Sequence, residues 1–212
     1  MIRYKTIQRE AQAEQIIDRS RFIAYVRPVS SKDEADVFLA EIRAKHRDAT
    51  HNVPAMVIGD QFQIQWASDD GEPQGTSGAP MVQMLVKEGL TNLVVVVTRY
   101  FGGVKLGTGG LVRAYTSSAK LGLAEAGICA VKDMYVAQVK LDYTYLSKLQ
   151  NLASTGIFQI NQVFYEEAVR VILAAEPEKE AELKGLVSDL TSGTGVFLEE
   201  GTELTSVPLE QA

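Results

Sequence analysis

The chain is poor in the residues that cross-link or bind metals. Among 212 residues there is one cysteine, Cys129, so no internal disulfide can form. It has two histidines, His46 and His51, with no cysteine nearby and a spacing that suits no pair of ligands on one helix. A zinc site is therefore not expected. No apolar run approaches the roughly 20 residues that a membrane span needs. The opening Met1-Ile2-Arg3-Tyr4-Lys5 begins no secretory signal, so a cytoplasmic location away from membranes is expected. Charge of one sign is also lacking in the front of the chain. Up to Asp133 there are 16 Lys and Arg against 15 Asp and Glu, and from Met134 onward 5 against 12. The net charge of −6 thus comes from an acidic back half, while the front is balanced and carries local basic sites.

Apolar residues make up 46% of the chain, enough to build real cores. The charge break falls near Ala126-Gly127-Ile128-Cys129, where a helical pattern ends at glycine. A domain boundary is expected between about Ala130 and Met134, giving an amino-terminal domain over 1–131 and a second over 132–212. In the first, Arg21–Val29 reads as a strand, and Ser31-Lys32-Asp33-Glu34 fits a capping box before a helix carrying Ala35, Phe38, Leu39 and Ile42. Asn52–Ile58 and Phe62–Trp66 read as a strand pair. Ser68–Gly78 is a polar loop, and Pro80 suits the first turn of the next helix. Leu93–Thr98 is apolar enough for a central strand covered on both faces. Gly109–Ala126 is a long helix, with Leu111, Ala114, Ser118 and Leu121 on its expected buried side and Arg113, Ser117 and Lys120 on a polar one. The second part reads strand, helix, two strands, helix, strand. This βαββαβ order predicts a ferredoxin-like domain, and α+β for the whole chain.

Arg99–Tyr115, RYFGGVKLGTGGLVRAY, follows the apolar strand directly. A helix start presents unpaired N–H groups and the positive end of its dipole, and glycine lets a ligand's oxygens approach them. Arg99, Lys105 and Arg113 bracket the turn. The candidate anion site therefore comprises Arg99, Tyr100, Gly102, Gly103, Lys105, Gly107, Thr108, Gly109, Gly110 and Arg113. It is not a Walker A loop, since no Gly-Lys-Ser/Thr follows, and the dinucleotide fingerprint fails where its third glycine would be Val112. Tight strand–helix packing explains the same glycines equally well. Tyr100 is a candidate for stacking on a base; Phe101 is expected in the core.

A second motif, Ser68-Asp69-Asp70-Gly71-Glu72-Pro73, leads into Gly75-Thr76-Ser77-Gly78-Ala79-Pro80. Three carboxylates in four residues could hold magnesium. A turn capped by Thr76 or Ser77 is favoured over that, and a third reading pairs the carboxylates with Arg99 or Arg113. On the last reading Ser68, Asp69, Asp70, Glu72, Thr76 and Ser77 form a second wall of the site. No metal, cofactor or catalytic residue is assigned. His46 is expected at a helix carboxyl terminus, where partial positive charge is favoured, and Cys129 in buried packing.

These two segments together resemble the signature of the IMPACT family, to which bacterial YigZ-type proteins belong. The resemblance spans the chain, with the motifs confined to about the first 130 residues. It implies an amino-terminal domain with the fold of a ribosomal-protein second domain, also found in small-molecule kinases. A ferredoxin-like domain then follows, the same pair as domains IV and V of elongation factor G. It also implies a role linked to translation, since eukaryotic members relieve inhibition of initiation by competing for an activator of a starvation-sensing kinase. Two functions are consistent with these features. One is a non-catalytic regulator that binds RNA, the ribosome or a translation factor through the glycine and arginine surface. The other is an enzyme acting on a phosphate ester or nucleotide, with the glycine-rich turn on phosphate and the acidic loop on magnesium.

Overall fold

A computed structural model describes residues 2–209. The chain divides into two compact units, one of residues 2–131 together with 206–209, the other of residues 132–205.

The first unit is built on a five-stranded antiparallel sheet. In chain order its strands are β2 (Ala11–Ile17), β3 (Ser20–Pro28), β4 (His51–Ile58), β5 (Ile64–Ala67) and β6 (Leu93–Tyr100), arranged β2-β3-β6-β4-β5. The central position of β6 explains its unbroken apolar run, because both faces are covered. Val94 and Val96 pack with Phe38, Leu39 and Ile42 of α1 (Lys32–Lys45). Val95 and Val97 face the other way, against Met81 and Leu85 of α2 (Gly78–Lys87) and Leu111, Ala114 and Tyr115 of α3 (Gly107–Ala126). The side chains alternate because the strand period is two. That parity decides the site, since it sends Arg99 to the α3 face and Tyr100 to the α1 face.

α1 starts as the capping box predicts, with the Ser31 hydroxyl accepting from the Glu34 N–H. The Glu34 carboxylate reaches back one residue further, to the N–H of Ser30. α3 begins two residues earlier than the sequence suggests, at Gly107. Its buried side holds Leu111, Ala114, Tyr115, Ser118, Ala119, Gly122 and Leu123, while Leu121 is exposed. The small residues at 114, 118, 119 and 122 let the helix lie close on β2 and β3; a Cβ on Gly122 would already meet Val26 Cγ1 at 3.0 Å.

Two strands escape the sequence reading, β1 (Ile2–Ile7) and β2. β2 turns into β3 through Asp18 and Arg19, both with positive φ (44° and 65°), the geometry of a two-residue type I′ hairpin.

The second unit follows the βαββαβ order. β7 (Ile128–Leu141) passes out of the first unit at Val131, followed by α4 (Tyr143–Ala153), β8 (Phe158–Tyr165), β9 (Val169–Ala175), α5 (Glu180–Leu190) and β10 (Val196–Pro208). β7 neighbours β9 and β10, and β9 neighbours β8, so the order is β10-β7-β9-β8, with β1 also hydrogen-bonded to β7. Leu149 of α4 and Leu183 and Val187 of α5 join Val139, Val171 and Leu173 in one core. The arrangement is ferredoxin-like, as expected. Cys129 is buried, and burial pushes its thiol up, so it is an inert packing residue.

Candidate functional site

Arg99 is not at the surface. Its side chain is 6% exposed and its Nη1 lies 2.7 Å from Oε1 of Glu72, whose own side chain is 3% exposed. The Tyr115 hydroxyl donates to the same Glu72 oxygen at 2.6 Å. Burial first, and then this hydrogen bond, push the Tyr115 phenol far above its ordinary value. Arg99 Nη2 donates to the Ser20 hydroxyl, while its Nε is buried without a hydrogen-bond partner. The guanidinium lies between two rings, 5.4 Å from the centroids of both Phe22 and Phe101. The other Glu72 oxygen faces His51 Nε2 across 3.7 Å, and His51 Nδ1 is 2.8 Å from the Asp70 carbonyl oxygen. A buried polar knot therefore joins β3, β4, the acidic loop, β6 and α3.

The acidic loop uses up its carboxylates internally. Asp69 accepts from the N–H groups of Gly75, Ser77 and Gly78 and from the Ser77 hydroxyl, so it caps α2 from a distance. Burial acts to raise its pKa, but these four donors outweigh it and hold the carboxyl low. Asp70, at φ 47°, accepts from the N–H of Asn52 and from Arg43. The Ser68 hydroxyl accepts from the Asp70 N–H, and the Thr76 hydroxyl donates to the Pro73 carbonyl. Each carboxylate thus has a different protein partner, and none pairs with Arg113. Among the described residues no group of three or more His, Cys, Asp and Glu side chains converges to hold a metal ion. The acidic loop is a support that fixes Arg99 and the start of α2.

The glycine-rich turn lies open. Lys105, Gly107, Thr108, Gly109 and Arg113 are exposed. α3 has no side-chain cap and no acidic residue in its first turn, so its first N–H groups keep their full positive potential. Among the described residues, Arg19 at the hairpin tip, Lys105 and Arg113 have no ion pair or hydrogen bond on their charged ends, although most arginines are paired. The glycines divide into two kinds. A Cβ on Gly102 would lie 2.0 Å from the Arg19 carbonyl oxygen, and one on Gly110 would lie 3.0 Å from Leu106 Cβ. These two serve packing. A Cβ on Gly103 or Gly107 would meet nothing within 4 Å, and one on Gly109 only Arg113 Nη1 at 3.8 Å. Gly103 and Gly107 also lie at φ 85° and 70°, a left-handed backbone that itself favours glycine, and no neighbouring atom crowds the space above the three. Close packing therefore accounts for Gly102 and Gly110 and not for the other three.

The two aromatics differ from expectation in their exposure. Tyr100 is half-buried against the α1 face, where its hydroxyl contacts His46 Nδ1 at 2.8 Å and donates to Asp48 at 3.3 Å. Phe101, expected in the core, is 46% exposed. Arg19 had no signal in the sequence beyond its charge, because its place beside the turn depends on an unrecognised hairpin.

His46 caps α1 at its carboxyl end but is buried, and its Nε2 lies 2.7 Å from the Tyr25 hydroxyl. Burial, helped by the charge of Lys45, holds its pKa below 6.5, so it is neutral rather than partly positive. The unfolded chain thus binds its proton more readily, and stability falls as pH drops below about 6.5. His46→Gln should flatten the loss of stability between pH 7.5 and 5.5, measured by urea midpoints. An unchanged pH dependence would refute the neutral assignment.

Comparison with known proteins decides the family. The model of the Impact N-terminal domain matches residues 18–123, which contain both motifs, and the model of a domain of unknown function, DUF1949, matches residues 139–194 in the second unit. The IMPACT family member YvyE of Bacillus subtilis is 40% identical over 90% of this chain and 88% of its own. The chain belongs to the IMPACT family. Another bacterial relative is the family member YigZ of Escherichia coli, 33% identical over 84% of this chain and 88% of its own. A crystal structure described only as that of a hypothetical protein superposes with a TM-score of 0.57 at 30% identity, covering 92% of this chain and 96% of the other. In this IMPACT protein, as in the matched stretch 18–123, the acidic loop and the glycine-rich turn lie in one unit. No helix among the described residues is long and apolar enough to cross a membrane.

Proposed function

We propose that this IMPACT protein is a non-catalytic, cytoplasmic regulator associated with translation, which binds RNA phosphate at the start of α3. The observation that carries this reading is the uncapped first turn at Gly107–Gly110, with the unpaired side chains of Lys105 and Arg113 before and after it in the chain and Arg19 packed at Gly102. Backbone N–H groups and the helix dipole favour a phosphate oxygen there, and the three cations add charge without a competing carboxylate. The translation link rests on the family resemblance. The acidic second unit repels the nucleic-acid backbone and leaves the contact to the first.

RNA binding measured across a salt series tests the reading. Affinity should fall linearly in log–log form, and Arg113→Ala should weaken binding and reduce the slope by about 0.7 for a single strand. Absence of binding at low salt, or a slope indifferent to Arg113, would overturn it.

A further inference from the structure

We infer that Phe101 is a stacking platform for one unpaired base, and that the ligand of the turn is therefore single-stranded RNA; this inference rests on the phosphate-binding reading above. Phe101 follows directly on a buried strand yet stays 46% exposed. Its position is fixed from both sides. The Thr50 N–H donates to the Arg99 carbonyl at 2.9 Å, and the Phe101 N–H donates to the Thr50 hydroxyl at 3.0 Å. The next N–H, that of Gly102, donates to the Ser20 hydroxyl at 3.2 Å, with the Arg19 backbone packed against its α-carbon. The Arg99 guanidinium lies 5.4 Å from the ring centroid, and Glu72 holds it there.

An apolar ring held open to water on an ordered backbone gains nothing for the fold by its exposure. It does present a flat surface whose ordering cost has already been met, which favours stacking. Of the other exposed aromatics, Trp66 lies beneath Lys32, and Tyr143 and Tyr165 stack on each other in the acidic unit. Phe101 differs in adjoining Gly102, against which Arg19 packs, and in leading into the glycine-rich turn. Six residues separate it from Gly107, so ring and helix start are within about 20 Å along the chain, a span for a few nucleotides. Bases in an A-form duplex are stacked on their neighbours and cannot lie on a side chain, whereas a single strand can splay one out. Stacking on a ring does not read base identity, so this contact tolerates any base.

The test uses the full chain and an adenine-rich RNA strand, alone and annealed to its complement. Phe101→Ala and Phe101→Leu should each weaken single-strand binding about tenfold and leave duplex binding unchanged. Phe101→Trp in a Trp66→Phe background should keep the affinity and show emission quenched by the single strand. Equal losses on single strand and duplex would mean that the ring only supports the turn, and would overturn the inference. So would wild-type affinity in Phe101→Leu alongside weakened binding in Arg113→Ala, which leaves the phosphate reading standing. No RNA binding at low salt by the unaltered chain would remove both and leave a protein as the partner.

Discussion

Arg99→Met is expected to destabilise the protein by about 3–5 kcal/mol, because it strands a carboxylate in the interior. Glu72 is 3% exposed at its side chain and would keep only the Tyr115 hydroxyl as a close donor. Glu72→Leu should also be costly, since it leaves the Arg99 guanidinium buried with only Ser20 as acceptor. The Arg99→Met/Glu72→Leu double variant should lose less than the two single losses combined, and less than Arg99→Met alone, because no lone charge remains. Recovery stays incomplete, as the Tyr115 hydroxyl loses its acceptor. Urea unfolding of all four proteins reads the coupling, with shifted midpoints and unchanged m-values. Strictly additive losses would show that Arg99 and Glu72 do not act as a pair. The pair matters beyond stability, since the same guanidinium fixes the setting of Phe101.

What the sequence disclosed about this site follows from how local each cause is. The strand at Leu93–Val97 and the helix after it are legible because hydrophobic period and length are local properties. The ferredoxin-like unit is legible for the same reason. β2 is not, because Ala11, Ala13 and Gln15 take the inward positions while Ile16 points out, 70% exposed. Its inner face is held by Gln15 donating to Ser117 and Ser118, a bond across about a hundred residues that no local pattern announces. The burial of Arg99 has the same origin, since Glu72 lies 27 residues away. One signal was available. Had the strand been continued to Tyr100, its period of two would have placed Arg99 with Val95 and Val97, and Tyr100 with Val94 and Val96. That separates the two residues onto opposite faces and turns attention to Phe101. The motifs name the right stretch of chain, but the tertiary contacts decide which residues brace it and which remain free.

The two kinds of glycine predict opposite outcomes for the same substitution. Gly102→Ala sets a methyl 2.0 Å from a backbone oxygen and 2.1 Å from the Arg19 carbonyl carbon, so the hairpin tip must move. A loss of about 1–3 kcal/mol or more is expected, as for overpacking in a core. RNA affinity should fall with it, because Phe101 and Arg19 are both displaced. Gly109→Ala meets only the flexible end of Arg113 at 3.8 Å, in a helical conformation that alanine adopts without strain. It should raise stability, by up to about 1 kcal/mol, through the lower chain entropy of the unfolded state. Its methyl nevertheless stands where a phosphate oxygen would approach the first-turn N–H groups, so affinity should drop as stability rises. Thermal unfolding and RNA titration on the same samples separate the two effects. A Gly109→Ala protein that is more stable and binds RNA unimpaired would move the phosphate off the α3 start. A loss of affinity that accompanies a gain in stability has no explanation in damage to the fold, and so assigns the contact to the helix start itself.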